Sequence, residues 1–221
     1  PRGKTTSTWL TAYVIRVITQ AMISQTIDYD YWMLKRSLDY LSSKKSIGTY
    51  LYFTNDGYSK DPYHPATIKS NMYTTSFVLL SFLYFERLWG TSYYGFIVDQ
   101  GMNYLDAYYD QVDAYPAALA CYVFALRDAK NVREKLSNLE SRYGRTSSSG
   151  RYYSTSDSST SDSITVLTSS YVALAYIKLG MYTKANPIIE WLHGVRKYSG
   201  NHNEAHDSAM ALYATSEYAK H

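Results

Sequence analysis

Five histidines, one cysteine and a scatter of carboxylates are the side chains here that could do chemistry. His64 stands apart from the rest. It lies in Asp61-Pro62-Tyr63-His64-Pro65, between two prolines that restrict the backbone. An imidazole held this way on a long loop can act as a general base or a nucleophile; the alternative is a surface histidine with no chemical task. His202 and His206 share the i, i+4 spacing that can chelate a metal on a helix, with Glu204 and Asp207 beside them. Gly200 and Asn201, however, place His202 ahead of the helix, so solvated polar residues at a helix start are expected, with no metal and no cofactor. Asp56, Asp61, Asp106, Asp110 and Asp113 could pair for glycoside chemistry, which needs two carboxylates within about 5–10 Å of each other. Sequence alone pairs none of them. Gly-rich phosphate loops, a Gly-x-Ser-x-Gly elbow, and the Asp-rich or Gln-Trp repeats of terpene chemistry are absent.

The elements that must carry these residues show an internal repeat. Thr11-Ala12-Tyr13-Val14, Thr75-Ser76-Phe77-Val78, Ala120-Cys121-Tyr122-Val123, Ser169-Ser170-Tyr171-Val172 and Ser208-Ala209-Met210-Ala211 share a pattern of two small residues followed by larger apolar ones. Each lies in an apolar stretch of helical period, as expected of a helix buried on both sides. Between them fall amphipathic segments ending in Asp39-Tyr40-Leu41, Asn103-Tyr104-Leu105, Lys135-Leu136 and Glu190-Trp191-Leu192. Alternating inner and outer helices predict stacked αα-hairpins, an all-α fold. The expected helices cover about 8–23, 28–43, 70–88, 95–109, 115–129, 131–143, 164–180, 184–197 and 206–219, or four and a half hairpins. Asp28 is expected to cap the second, Asn186-Pro187 to open the eighth, and Gly90 and Gly180 to end helices. Two long connections interrupt the series. Residues 44–69 have the turn formers and aromatics of an ordered loop. Residues 145–163 hold twelve Ser or Thr and read as a mobile surface excursion.

Composition narrows the function classes. The chain has 221 residues, 46% of them apolar, enough for a sizeable core. A net charge of +3 is too small to point to nucleic acid, and no apolar run is long enough to span a bilayer. One cysteine excludes an intrachain disulfide. Cys121 sits in an apolar helical run and reads as a small buried hydrophobe. Tyrosine is abundant, at 26 residues against 6 Phe. Rings that are apolar in body and polar at the tip predict a core that is wet at its edges.

Ser7-Thr8-Trp9-Leu10-Thr11-Ala12-Tyr13-Val14 resembles the stretch that follows the thioester site in the family of complement component three, alpha-2-macroglobulin and the insect thioester-containing proteins. Asp56-Gly57 with its His-bearing loop, Tyr73-Thr74-Thr75-Ser76-Phe77-Val78-Leu79-Leu80 and Leu167-Thr168-Ser169-Ser170-Tyr171-Val172-Ala173-Leu174 follow in the family's order. So does Asn186-Pro187-Ile188-Ile189-Glu190-Trp191-Leu192, running on through Arg196-Lys197-Tyr198-Ser199-Gly200. The resemblance runs from about residue 7 to residue 220. The tyrosine-rich, cysteine-poor character leans toward an invertebrate member.

The resemblance implies an α/α toroid of six hairpins and a secreted, extracellular, complement-like protein of innate immunity. In that family a Cys-Gly-Glu-Gln motif forms an internal thioester, which proteolysis exposes to hydroxyls or amines of a target. A loop histidine takes the acyl group first, and His64 matches that position. Implied partners are the macroglobulin and CUB-type domains of the parent, microbial surface hydroxyls or amines, an activating protease and a stabilising protein. The reaction is single-turnover acyl transfer rather than enzyme turnover. The motif itself is not among these residues, and Gly-Gly-x-x-Ser-Thr-Gln before the last helix is replaced by Ser199-Gly200-Asn201-His202-Asn203-Glu204-Ala205-His206. The expectation is therefore a thioester domain over 1–221, incomplete at its N-terminal side. The alternative reading is a non-covalent interaction toroid from a member that has lost its thioester.

Overall fold

Nine helices form among the described residues, and their burial follows the two sequence types. The computed structural model describes residues 7–24, 27–54, 67–90, 92–155, 162–196, 202 and 204–221. The chain divides into two compact units, Pro1–Val112 and Asp113–His221.

In the first unit α1 (Thr8–Ile23) and α3 (Ile68–Trp89) pack together, with α2 (Tyr31–Ser43) against α1 and α4 (Gly95–Tyr108) against α3. A short antiparallel hairpin, β1 (Lys45–Ile47) and β2 (Leu51–Phe53), rests on α3 and α4, with Lys45 opposite Phe53 and Ile47 opposite Leu51. In the second unit α7 (Ser163–Lys178) is central. It packs on α5 (Ala114–Leu126), α8 (Tyr182–Gly194) and α9 (Ala205–Tyr218), while α6 (Val132–Tyr143) covers α5. A second hairpin, β3 (Gly144–Ser147) and β4 (Gly150–Tyr153), lies on α7 and α8.

Fifteen residues of α3, twelve of α5 and thirteen of α7 are buried, so these three helices present no solvent face of any width. The outer helices α2 and α6 bury three residues each, along one stripe. Helices α1 and α9 depart from the inner type. They carry the small-residue quartets, yet Leu10, Val14 and Val17 of α1 and Leu212 of α9 are exposed. Within its unit α1 packs on α2 and α3, and α9 on α7 and α8.

Helix ends also correct the sequence reading. Asp30, not Asp28, caps α2: its carboxylate accepts from the Trp32 N–H at 2.8 Å, while Asp28 accepts from Tyr29 N–H. Pro187 lies inside α8 rather than at its start, because the helix begins at Tyr182. Gly90 and Gly180 do follow α3 and α7, both with the left-handed φ (64° and 70°) that a glycine stop adopts. Residues 145–153, expected as part of a mobile excursion over 145–163, form an ordered hairpin with Gly144 instead. The reason is aromatic: Tyr152 stacks on Trp191 with ring centroids 5.2 Å apart, and Tyr153 is 1% exposed. Cys121 is fully buried in α5, as its setting implied.

Candidate functional site

His64 falls in 55–66, outside the described residues, and so do Asp56 and Asp61. The residues on either side of that segment are described, and both are tied to α3. Phe53, at the end of β2, is fully buried, and its N–H donates to Thr75 Oγ1 at 2.9 Å. The same hydroxyl donates back to Phe53 O at 3.4 Å. Thr67 then caps α3, its Oγ1 accepting from Ser70 N–H at 3.2 Å. A strand end has orphan backbone groups that burial would make costly; one helix hydroxyl satisfies two of them.

The second unit repeats this device. Tyr153, at the end of β4, donates its N–H to Ser169 Oγ at 3.0 Å. Thr75 and Ser169 hold the same place in their quartets, the small residue two before Phe77 and Tyr171. Sequence reasoning read these small residues only as part of helices buried on both sides and missed this role. The signal was present: the first quartet position is a hydroxyl residue in both helices that follow a hairpin. Beyond Tyr153, Ser154 Oγ lies 3.2 Å from Thr165 Oγ1, and Asp162 caps α7 through Thr165 N–H at 2.6 Å. These residues, with Thr155, Ile164 and Thr168, line a cavity of about 210 Å³.

Two clusters of charged groups among the described residues are engaged structurally. Glu140 of α6 accepts from Tyr176 Oη at 3.1 Å, from Arg151 at 3.2 Å and from Lys184 at 3.3 Å, joining α6, β4, α7 and α8. Burial first, then the neighbouring Tyr153 and Glu140, pushes the Tyr176 phenol well above its ordinary range. In the first unit Tyr94 Oη donates to Asp39 at 2.7 Å, and Lys35 bridges to the same carboxylate at 2.8 Å. Partial burial raises the Asp39 pKa, but the bonds from Lys35 and Tyr94 outweigh it and leave the carboxyl below its usual range. Asp106 and Asp110 are exposed on α4 and the turn after it.

His202 is not solvated as expected, although His206 and Glu204 at the start of α9 are open to solvent in part. His202 is 4% exposed, with its ring Nε2 3.1 Å from Leu192 O and its backbone N–H donated to Ser208 Oγ at 2.9 Å. Asp207 is fully buried, accepts from Ser163 Oγ at 2.6 Å and completes a capping box with Glu204. His202 does precede α9 and His206 does lie in its first turn, as expected, but His202 faces back onto α8 rather than into solvent. Among the described residues no group of three or more His, Cys, Asp and Glu could hold a metal ion. No helix there is long and apolar enough to cross a membrane.

With this geometry in place, the comparisons with known proteins decide the family. The A-macroglobulin TED domain model matches residues 2–218. The chain belongs to that family. Thioester-containing protein 1 allele R1 of Anopheles gambiae is 23% identical over 216 residues, covering 97% of this chain and 15% of the relative. Complement C3 of Lethenteron camtschaticum is 24% identical over 226 residues, covering 96% of this chain and 13% of the relative. This TED domain therefore spans only about a seventh of the length of the curated relatives it matches. It is a complement-like, innate-immune family member, all-α in architecture, as the sequence blocks implied.

Proposed function

We propose that this TED domain, within a secreted parent protein, becomes covalently attached to microbial surfaces or attacking proteases after proteolytic activation. The observation that carries the reading is the family match over residues 2–218, which runs through every block on which the sequence resemblance rests. On this reading the domain is an α/α toroid, and macroglobulin and CUB-type domains flank it in the parent. His64 is the acyl acceptor. Its neutral imidazole attacks the Gln acyl carbon of the parent's thioester through the unprotonated ring nitrogen and expels the Cys thiolate, giving an acyl-imidazolium. A target hydroxyl then attacks that acyl carbon, the imidazole leaves, and the thiolate takes the hydroxyl proton. The clamps at Phe53 and Thr67 support the assignment, since an acceptor is effective only on a segment whose flanks are anchored.

The test uses the parent protein, activated by proteolysis, with labelled glycerol and methylamine as targets. His64→Ala is expected to lower transfer to glycerol by about a hundredfold or more while methylamine is still incorporated. Equal glycerol transfer by variant and parent would remove His64 from the mechanism. A parent that incorporates neither label would instead favour the non-covalent interaction toroid.

A further inference from the structure

Four tyrosines of the first unit meet where the β1–β2 hairpin crosses α4. Tyr50 and Tyr52 lie two apart in the hairpin, Tyr50 just ahead of β2 and Tyr52 within it. Tyr104 and Tyr108 stand one turn apart on α4. Tyr52 stacks on Tyr104 with centroids 5.1 Å apart and planes 22° from parallel. Tyr104 is 4.8 Å from Tyr108, and Tyr108 meets Tyr50 edge-on at 6.1 Å. Contact is thus continuous across all four rings. Tyr104 is buried, whereas Tyr50, Tyr52 and Tyr108 are each partly open to solvent. Other tyrosine pairs among the described residues lack this combination. Tyr115, Tyr122 and Tyr171 touch only inside the core, and Tyr93 and Tyr94 are chain neighbours.

We propose that Tyr50, Tyr52, Tyr104 and Tyr108 form an oxidative cross-linking site, at which a peroxidase and hydrogen peroxide join the β1–β2 hairpin to α4 through a dityrosine bond. A one-electron oxidant reaches the partly exposed phenols. Each of two phenols loses an electron and its O–H proton to become a phenoxyl radical, and ring contact lets the radical pass inward to Tyr104. Two radicals join at ring carbons ortho to oxygen, forming one C–C bond. The two displaced ring protons return to the oxygens and restore both phenols. The pair has then lost two electrons and two protons, which reduce one hydrogen peroxide to two waters. The bond fixes the hairpin that precedes residues 55–66, and it does so independently of any thioester.

The experiment treats the 221-residue chain, dilute enough to suppress coupling between molecules, with a haem peroxidase and hydrogen peroxide. Trypsin cleaves after Lys45, Lys60, Arg87 and Arg127, so the expected product is peptide 46–60 joined to peptide 88–127, two hydrogens lighter than their sum. Fragment ions should place the link between Tyr50 or Tyr52 and Tyr104 or Tyr108. The double variant Tyr104→Phe, Tyr108→Phe keeps the rings and should abolish both the joined peptide and the monomer's dityrosine fluorescence, while Tyr93→Phe leaves them unchanged. The proposal fails if no joined peptide forms, if dityrosine appears only in dimers, or if the link maps to Tyr58, Tyr93, Tyr94, Tyr109, Tyr115 or Tyr122. The wild-type mapping stands even if the double variant proves unstable.

Discussion

Gly150 opens β4 with φ +134°, and its Cα sits against α8. A Cβ added there would lie 2.2 Å from Pro187 O, 2.9 Å from Trp191 N and 3.1 Å from Trp191 Cβ. Two of these three atoms are helix backbone and cannot rotate away. Gly150→Ala therefore forces the hairpin off α8 and parts Tyr152 from Trp191, besides placing a side chain in a backbone region that L-residues rarely occupy. The conformational strain is on the order of 1–3 kcal/mol. Lost stacking adds about 0.5–1.5 kcal/mol, and partial exposure of two rings adds more. A total of about 3–5 kcal/mol corresponds to a fall in Tm of roughly 6–20 °C for a chain of this size. Urea and thermal unfolding followed by circular dichroism measure it. Gly48→Ala is the matched control, in the turn of the first hairpin with nothing within 4 Å of its added Cβ. Surface changes of that kind stay within about 0.5 kcal/mol. Should Gly150→Ala cost no more than Gly48→Ala, the docking of the second hairpin on α8 is wrong.

Thr75→Val and Ser169→Ala each leave a buried strand N–H without its acceptor and should cost about 1–3 kcal/mol. Hydrogen exchange should speed up at Phe53 in the first variant and at Tyr153 in the second. A Phe53 amide that exchanges as slowly in Thr75→Val as in the parent would refute the clamp. Alkaline titration tests the buried phenols. Burial, with smaller contributions from Tyr108 and Tyr52, moves Tyr104 from 10.0 to about 12. The folded state holds this proton more tightly than the unfolded one, so its contribution to stability is complete below pH 10 and is lost as pH rises from 10 to about 12. Absorbance of ionised tyrosine should show Tyr104→Phe missing a high-pH step; loss of a step near 10 instead would place that ring in water.

Much of the fold was legible because it rests on periodicity. The runs around Phe77, Tyr122 and Tyr171 hold only apolar and small hydroxyl residues over three turns or more, and a helix surrounded by others satisfies such a run. The hairpins were not legible. Lys45–Phe53 and Gly144–Tyr153 are short, polar on one face and held by contacts distant in sequence, Thr75 and Trp191, which no local window contains. Twelve Ser and Thr in 145–163 masked two buried tyrosines. His202 misled for a related reason: its partner, Leu192 O, belongs to the preceding helix. The candidate site was legible only through the family blocks. Asp61-Pro62-Tyr63-His64-Pro65 says that the imidazole is constrained, not what it faces.

The two hairpin clamps ask very little of the sequence. Each needs one oxygen at one place on a helix, and the two copies in this chain already supply it differently, from Thr75 in one and Ser169 in the other. The stretch of chain between clamp and strand end differs as well, 22 residues against 16. A feature specified by an atom rather than by a residue drifts freely in composition and length while its geometry stays put. Two halves built on one plan can therefore lose nearly all visible kinship and still fold alike.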